Sequence, residues 1–423
     1  MSFDIAWGVV KFAKDPPVTG NSYVATLLLH AGAVVYVKTN IPQLMMTWES
    51  HNEVWGRCLN PWNRKLGAGG SSGGEGALIA ARGSPLGVGT DIGGSVRLPA
   101  SINGIYTVKP SAFRFAHGGS RAPMVQGLPL LIVGVNGPMS NSCDDLDTYG
   151  KIFCTGGGPE CNLDPNVVPI PWRKISLPVK LRFGYFVDNG YCAPVAPVSN
   201  AVESAINSLR KAGHEMIPFP MFNVEKVMES ANAIFQGYQD QIYENLYKDG
   251  GEGLVRSMVA GSYVDMATKG PAPQMVASEV WQHFILREAT KIYYTRTFND
   301  LKLDGVISPV VALPTVLHDA TGSDLTGGAI SYTTVWNYTD VSAGVIPYHT
   351  VTSPLGADAP KPLGRGFRNN SEKLTHEAYS QDPMAYKNSK VGIQVSGLRY
   401  QEEKVVAMMR VIDAVLKASL AKM

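Results

Sequence analysis

Residues 67–99 read GAGGSSGGEGALIAARGSPLGVGTDIGGSVRLP. Two serine-containing glycine loops, Gly69-Gly70-Ser71-Ser72-Gly73-Gly74 and Asp91-Ile92-Gly93-Gly94-Ser95, flank a short apolar segment from Ala77 to Ala81. Glycines crowd a loop where the backbone must take positive φ or approach another group closely. A glycine run ahead of a helix leaves backbone N–H groups aimed at one point, which suits a developing negative charge. Two serines delivered by such loops suggest a hydroxyl nucleophile, a hydroxyl relay and an oxyanion hole. Any one of these residues alone would be an ordinary turn. The whole block carries the weight.

Two other readings of these glycines are weak. Gly70 to Gly74 fits the letters of G-x-S-x-G, but that elbow needs a strand leading into it. Asn60 to Leu66 is polar and contains Pro61. Gly87-Val88-Gly89-Thr90-Asp91-Ile92-Gly93 is spaced G-x-G-x-x-x-G, with no strand expected to run into it, so a nucleotide-binding turn is also disfavoured.

Taken whole, GGSSGGEGALIA followed by SPLGVGTDIGGSVRLPA resembles the signature of the amidase signature family, in the manner of fungal general amidases and acetamidases and of fatty-acid amide hydrolase. Flanking segments agree: AGAVVYVKTNIPQ at 31–43, NPWN at 60–63, VKPS at 108–111, GPMS at 137–140, WNYTDVSAGVIP at 336–347 and VGIQVSG at 391–397. The resemblance implies one α/β domain over residues 1–423, with a mixed, largely parallel β-sheet flanked by helices on both faces. It implies acyl transfer from a small-molecule carboxylic amide to water through a serine acyl-enzyme, with no cofactor and no metal.

Carried over by position, the family's Ser–Ser–Lys triad makes Ser95 the nucleophile and Ser71 the bridging serine, whose preceding peptide bond is cis in the family. The oxyanion hole falls on the N–H groups of Ile92, Gly93, Gly94 and Ser95. Ser72, Thr90, Asp91 and Arg97 would hold the loops. Met45, Met46 and Gly70, with Trp48 nearby, match the segments lining the cleft, although adjacent methionines are equally well ordinary core. Ser342 stands where proline is common, and Tyr348 and His349 where smaller residues are usual, so acyl-chain preference stays open. A lone histidine such as His349 is more often structural than a base.

The triad lysine must be neutral to take a proton, and burial lowers a lysine pKa. In the family it lies in a V-x-x-K-D strand shortly before a segment resembling Asp4 to Gly8. Met1 falls after that point, so the chain reads as N-terminally truncated, lacking the lysine strand and weak or inactive as an amidase. Lys11 and Lys14 read as solvated loop lysines. The rival functions are a non-catalytic homologue acting as a binding protein and the amidase component of an amidotransferase. The fungal-type flanks argue against the latter.

Bulk properties fit a globular chain with ample core. Of 423 residues, 45% are hydrophobic, and the formal net charge of +2 gives no reason to invoke nucleic acid or an anionic membrane. Val24–Val37 and Leu128–Val135 are too short or too interrupted to span a membrane. The sequence start carries Asp4 and no basic leader. Five cysteines without CxxC spacing read as reduced thiols of a cytoplasmic protein, a Cys154–Cys161 loop disulfide being the lesser alternative. A homodimer is left open.

Periodicity predicts helices over 21–30, 200–212, 225–247, 277–301 and 401–421, and strands over 33–37, 105–108, 130–135, 181–186, 304–308 and 391–395. Residues 155–175, rich in Gly and Pro, read as a surface loop.

Overall fold

A computed structural model describes residues 7–16, 20–119, 131–236, 252–258, 275–320 and 323–421. Its frame is an eight-stranded sheet. The strands are β3 (Leu86–Asp91), β4 (Tyr106–Lys109), β5 (Val135–Ser140), β6 (Arg182–Tyr185), β7 (Glu215–Pro218), β8 (Gly305–Pro309), β9 (Ala343–Thr350) and β10 (Lys390–Ser396). They are ordered β3-β5-β4-β9-β10-β8-β6-β7, and a separate hairpin joins β1 (His51–Asn52) to β2 (Gly56–Arg57). The sheet is mixed, as expected, but not largely parallel. Only the β7–β6–β8 end is parallel, and every pairing from β8 through β10, β9, β4 and β5 to β3 is antiparallel. Short hydrophobic strands cannot reveal pairing direction, because burial on both faces gives the same apolar run either way.

Twelve helices are described: α1 (Val10–Ala13), α2 (Tyr23–His30), α3 (Gly73–Ala80), α4 (Arg97–Asn103), α5 (Cys143–Phe153), α6 (Pro159–Leu163), α7 (Ala196–Lys211), α8 (Val224–Gln236), α9 (Ala277–Asp300), α10 (Ser323–Tyr338), α11 (Asn370–Gln381) and α12 (Glu402–Leu420). Their starts follow capping chemistry where a polar side chain is available. Ser22 accepts from Ala25 N–H, Ser142 from Asp144 N–H, and Asn369 from Glu372 N–H.

Successive strand residues face opposite sides, and β8 shows the result. Ile307 enters one core with Val202 and Leu209 of α7 and Val405 and Ile412 of α12. Val306 enters another, an aromatic cluster with Tyr294 and Phe298 of α9, Tyr332 and Trp336 of α10 and Val227 of α8. Helices therefore cover both faces, and burial of these side chains is the main stabilising term.

Most expected elements stand within a few residues. The 225–247 helix is seen as α8 to Gln236, its remainder lying outside the described residues. The expected strand over 130–135 is a correction: residues 131–134 are bends and loop, and the strand runs instead from Val135 to Ser140, where β3 and β4 supply its hydrogen-bond partners. Pro159–Leu163 puts a short helix inside the 155–175 loop. Ala33–Val37 is a plain correction. This valine-rich stretch belongs to no strand, and Val34 is 85% exposed. No described strand pairs with it, and a strand exists only through its partner's hydrogen bonds. The five thiols are free.

Candidate active site

The first serine loop lies directly on a neighbouring backbone. A Cβ on Gly70 would sit 2.5 Å from the Thr47 carbonyl oxygen and 2.8 Å from Trp48 Cα, so only glycine passes here. The Gly70–Ser71 peptide is cis. Ser50 fastens the turn: its hydroxyl is 2.9 Å from Gly69 O and 3.3 Å from Ser71 O, and it accepts from Gly73 N–H at 3.2 Å. Ser71 is buried at 2% exposure, and α3 begins two residues later.

The second loop is organised by one carboxylate. Asp91, at the end of β3, accepts from Gly94 N–H at 2.8 Å and Val96 N–H at 3.3 Å. It also takes both Nε and Nη2 of Arg97 at 3.0 Å, a fork that fixes orientation as well as charge. Both side chains are fully buried. Burial alone would raise the Asp91 carboxyl's pKa, but the Arg97 guanidinium and the Asn337 amide bring it below the ordinary carboxylate value. Arg97 reaches on to Thr333 O and Gln394 Oε1, each at 3.0 Å, and to Asn337 Oδ1. Asn337 closes the circuit, donating to Asp91 at 2.8 Å.

Helix α10 grips the same loop from outside. The Thr333 and Thr334 hydroxyls donate to Gly93 O at 2.6 and 3.2 Å. Gly94 has φ +138°, and a Cβ there would lie 2.4 Å from Thr333 Oγ1. Gly94→Ala should therefore destabilise the protein by about 1–3 kcal/mol through overpacking and strain, readable as a lower urea midpoint. An unchanged midpoint would mean that the loop can turn without α10.

The loops meet edge to edge. Ser72 N–H donates to Ser95 O at 3.1 Å, and Ser72 Oγ accepts from Thr90 N–H at 3.2 Å. Ser95 is half-buried. Ser71, Ser72, Thr90, Asp91, Gly94, Ser95 and Arg97 are thus assembled. Of the four N–H groups expected to face an oxyanion, that of Gly94 is engaged by Asp91. Those of Ile92, Gly93 and Ser95 have no acceptor among the described residues. The Ser71 and Ser95 hydroxyls are not hydrogen-bonded to each other, and no described lysine, histidine or carboxylate is bonded to either.

Met45 and Met46 are half-buried just before Thr47 and Trp48, the backbone under Gly70. Met46 packs on Val9, Phe12 and Leu44, the core role. Lys14 is exposed, whereas Lys11 is half-buried on α1 and so not simply solvated. Tyr348 bonds Ser204 Oγ at 2.8 Å and His349 faces Asp358 at 3.4 Å, a structural pairing. Sequence reasoning missed Thr333, Thr334, Asn337 and Gln394. The one available signal was the polar trio at i, i+1 and i+4 set among the large apolar side chains Tyr332, Val335 and Trp336. It also passed over Lys109, fully buried in β4, whose amine is pushed down to about 8 by burial and then by Arg97.

Comparison with known proteins agrees with this architecture. The amidase family profile matches residues 3–406. The acetamidase of Emericella nidulans is 30% identical over 419 residues, spanning 94% of this chain and 71% of the fungal protein. Fatty-acid amide hydrolase 1 of Sus scrofa is 31% identical over 439 residues, 95% of this chain and 71% of the pig protein. A solved fatty acid amide hydrolase superposes with a TM-score of 0.86 at 26% identity, covering 98% of this chain and 70% of that one. A bacterial aryl acylamidase, at 16% identity and TM-score 0.72, shares the fold over 96% of this chain and 78% of its own. The chain belongs to the amidase family. By that homology it is a hydrolase of the amidase type. No helix among the described residues is long and apolar enough to cross a membrane.

Proposed function

We propose that this chain carries the acyl-transfer half of a small-molecule amide hydrolase, with Ser95 as nucleophile and Ser71 as the hydroxyl that relays its proton. The observation that carries this is the junction of the two loops, where Ser72 N–H holds Ser95 O at 3.1 Å beside unclaimed backbone N–H groups at Ile92, Gly93 and Ser95. Such donors stabilise the oxyanion of a tetrahedral intermediate, each worth about 10²–10³-fold in rate. Ser95 Oγ would attack the amide carbon, and the oxygen would take the charge. The amine would leave as the C–N bond breaks, taking up the proton relayed from Ser95 through Ser71, and water would then attack the acyl carbon, release the acid and return a proton to Ser95 Oγ. A fluorophosphonate probe applied to an active preparation should label Ser95. Labelling of another serine would overturn the assignment.

Proton flow sets a second expectation. A hydroxyl is too weak a base to keep the proton that Ser71 receives, and general-base help is typically worth about 10²–10⁴-fold. With no base bonded to either hydroxyl among the described residues, residues 1–423 expressed alone should hydrolyse simple aliphatic or aryl amides feebly. An extension carrying a V-x-x-K-D strand should raise the rate by about that factor, and Lys14→Ala should change nothing. Ordinary enzyme rates from 1–423 alone would defeat this expectation, and loss of that rate in Lys14→Ala would name the base. The same reading treats residues 1–423 as one domain, since a single sheet draws strands from β3 to β10. Two separately melting cores would count against it.

A further inference from the structure

Two histidines stand in one cluster of charges beside the first serine loop, and their partners demand opposite protonation states. The cluster joins the β1–β2 hairpin to residues 315–319, which follow β8. Arg57 of β2 sits at its centre, reaching Glu49 with Nη1 and Asp319 with Nη2, the latter at 2.5 Å. His318 faces acceptors on both sides: Nδ1 lies 3.2 Å from Glu49 Oε1, and Nε2 lies 3.0 Å from the Arg64 carbonyl oxygen. The Glu49 carboxylate also takes the Asp319 N–H at 3.1 Å, so donors surround it. A ring that donates from both nitrogens is an imidazolium. His51 is the converse. Its Nδ1 lies 3.3 Å from Arg57 Nη2, and a guanidinium can only donate, so that nitrogen is the bare one of a neutral ring. Charge balance agrees. Glu49 is fully buried, and two carboxylates share one guanidinium until His318 supplies a second cation. The pKa of His318 lies above the ordinary 6.5, chiefly through its hydrogen bond to Glu49. That of His51 lies below 6.5, through burial and then through Arg57. Further out, Glu53 acts on His51 and Arg256 on Asp319.

We infer that this cluster is a proton-set clamp on the first serine loop, closed while His318 is an imidazolium and His51 is neutral. It grips the loop from both flanks. Glu49 lies between Trp48, whose backbone underlies Gly70, and Ser50, whose hydroxyl fastens Gly69, Ser71 and Gly73. Arg64 lies on the arm that enters the loop. On that arm Gly67 N–H donates to Val316 O at 2.9 Å, and Gly67 O accepts from the Thr315 hydroxyl at 2.9 Å. His318 bonds to both flanks at once. When it loses a proton, two acceptors compete for one donor. When His51 gains one, an imidazolium is set against Arg57. The His318 contribution is fully present below the unfolded value of about 6.5 and is lost as pH rises through the higher native value. The His51 contribution is present above about 6.5 and is lost as pH falls through the lower native value. The clamp concerns the shape of the loop, so it stands apart from the roles proposed for Ser71 and Ser95.

The test uses the whole 423-residue chain carrying nitrogen-15 histidine. Its two rings are assigned from His318→Gln and His51→Gln, or from the asparagine variants where glutamine does not fold. At neutral pH, long-range proton–nitrogen spectra of the wild type should show both nitrogens of His318 protonated and only Nε2 of His51. His318 should titrate above the ordinary 6.5 and His51 below it. Hydrogen exchange of peptides covering residues 67–74 then reads the loop itself, wild type against His318→Gln at the same pH. At about pH 6 the variant should exchange roughly 5–30-fold faster. By about pH 9 the two should converge, because the wild-type ring has then lost its proton too. A ring with a merely structural role would leave a gap that does not change with pH. A singly protonated His318 at neutral pH overturns the proposal, and so does a doubly protonated His51. An exchange gap that is missing at the lower pH, or that persists undiminished at the higher one, overturns it as well.

Discussion

Ser95→Ala is expected to abolish amide turnover and fluorophosphonate labelling together, by on the order of 10⁵–10⁶-fold in an active preparation, the loss seen when the nucleophile of a serine hydrolase is removed. No second hydroxyl can replace it. Ser71 sits two residues before α3 with its loop pressed onto Thr47 and Trp48, and it is buried where Ser95 is half open. Ser71→Ala should cost less, because it removes a relay and leaves the attacking oxygen in place. The fold should survive both, since neither hydroxyl holds the loops together. That task falls to Ser50, Ser72 and Asp91. If Ser71→Ala were the more damaging change, the two roles would have to be exchanged. Activity of Ser95→Ala within tenfold of wild type would end the assignment.

Arg97→Ala should be the most destabilising single change near the site, at about 3–5 kcal/mol, because it strands a buried carboxylate. Asp91 would lose its charge partner, and Gln394, Asn337 and Thr333 O would each lose a donor at one stroke. Asp91→Leu combined with Arg97→Leu should cost less than the sum of the single changes, since no unpaired charge then remains. Urea denaturation of the four proteins completes the cycle. An additive result would mean that the pair is not coupled. The same pairing has a pH signature. The native carboxyl is held below its ordinary value, so its contribution is fully present above about pH 4, the unfolded value. It is lost as pH falls through the lower native value. Arg97→Ala should remove that acid limb.

How far the sequence revealed this arrangement depends on whether a residue's partners lie nearby in the chain. Strands β8 and β10 were legible because VIS and VGIQV are short runs rich in Val and Ile, broken only by Ser308 and by Gly392 and Gln394, between turn residues. Strand β3 was not, because LGVGTD reads as a loop. Its Gly89 is glycine for a tertiary reason, since a Cβ there would lie 2.5 Å from Ser72 Oγ. Helix α10 escaped for a similar reason. Gly327 and Gly328 weaken its helical pattern, yet a Cβ on Gly328 would meet Ser371 Cβ at 3.0 Å. In the site, Asp91 and Arg97 stand six residues apart and came with the motif. Gln394 lies 297 residues from Arg97, and no local rule could join them. Ala33–Val37 failed the other way: its composition promised a strand, and composition cannot supply a neighbour.

That same stretch gives the molecule a handle for protein chemistry. From Ala31 to Lys38 every residue is exposed, with Tyr36 pinned to Gly83 O at 2.5 Å. Chain that lies outside the hydrogen-bond ladders and faces water is what a protease can draw into its own cleft. A cut there would separate α2 from Thr39 and Asn40, which grip α3 through Glu75 and Gly74, while leaving both serine loops on one fragment. Brief digestion would thus convert an intact chain into a nicked one whose serine loops stay in register. Any ligand that covers the stretch would announce itself by slowing the nick.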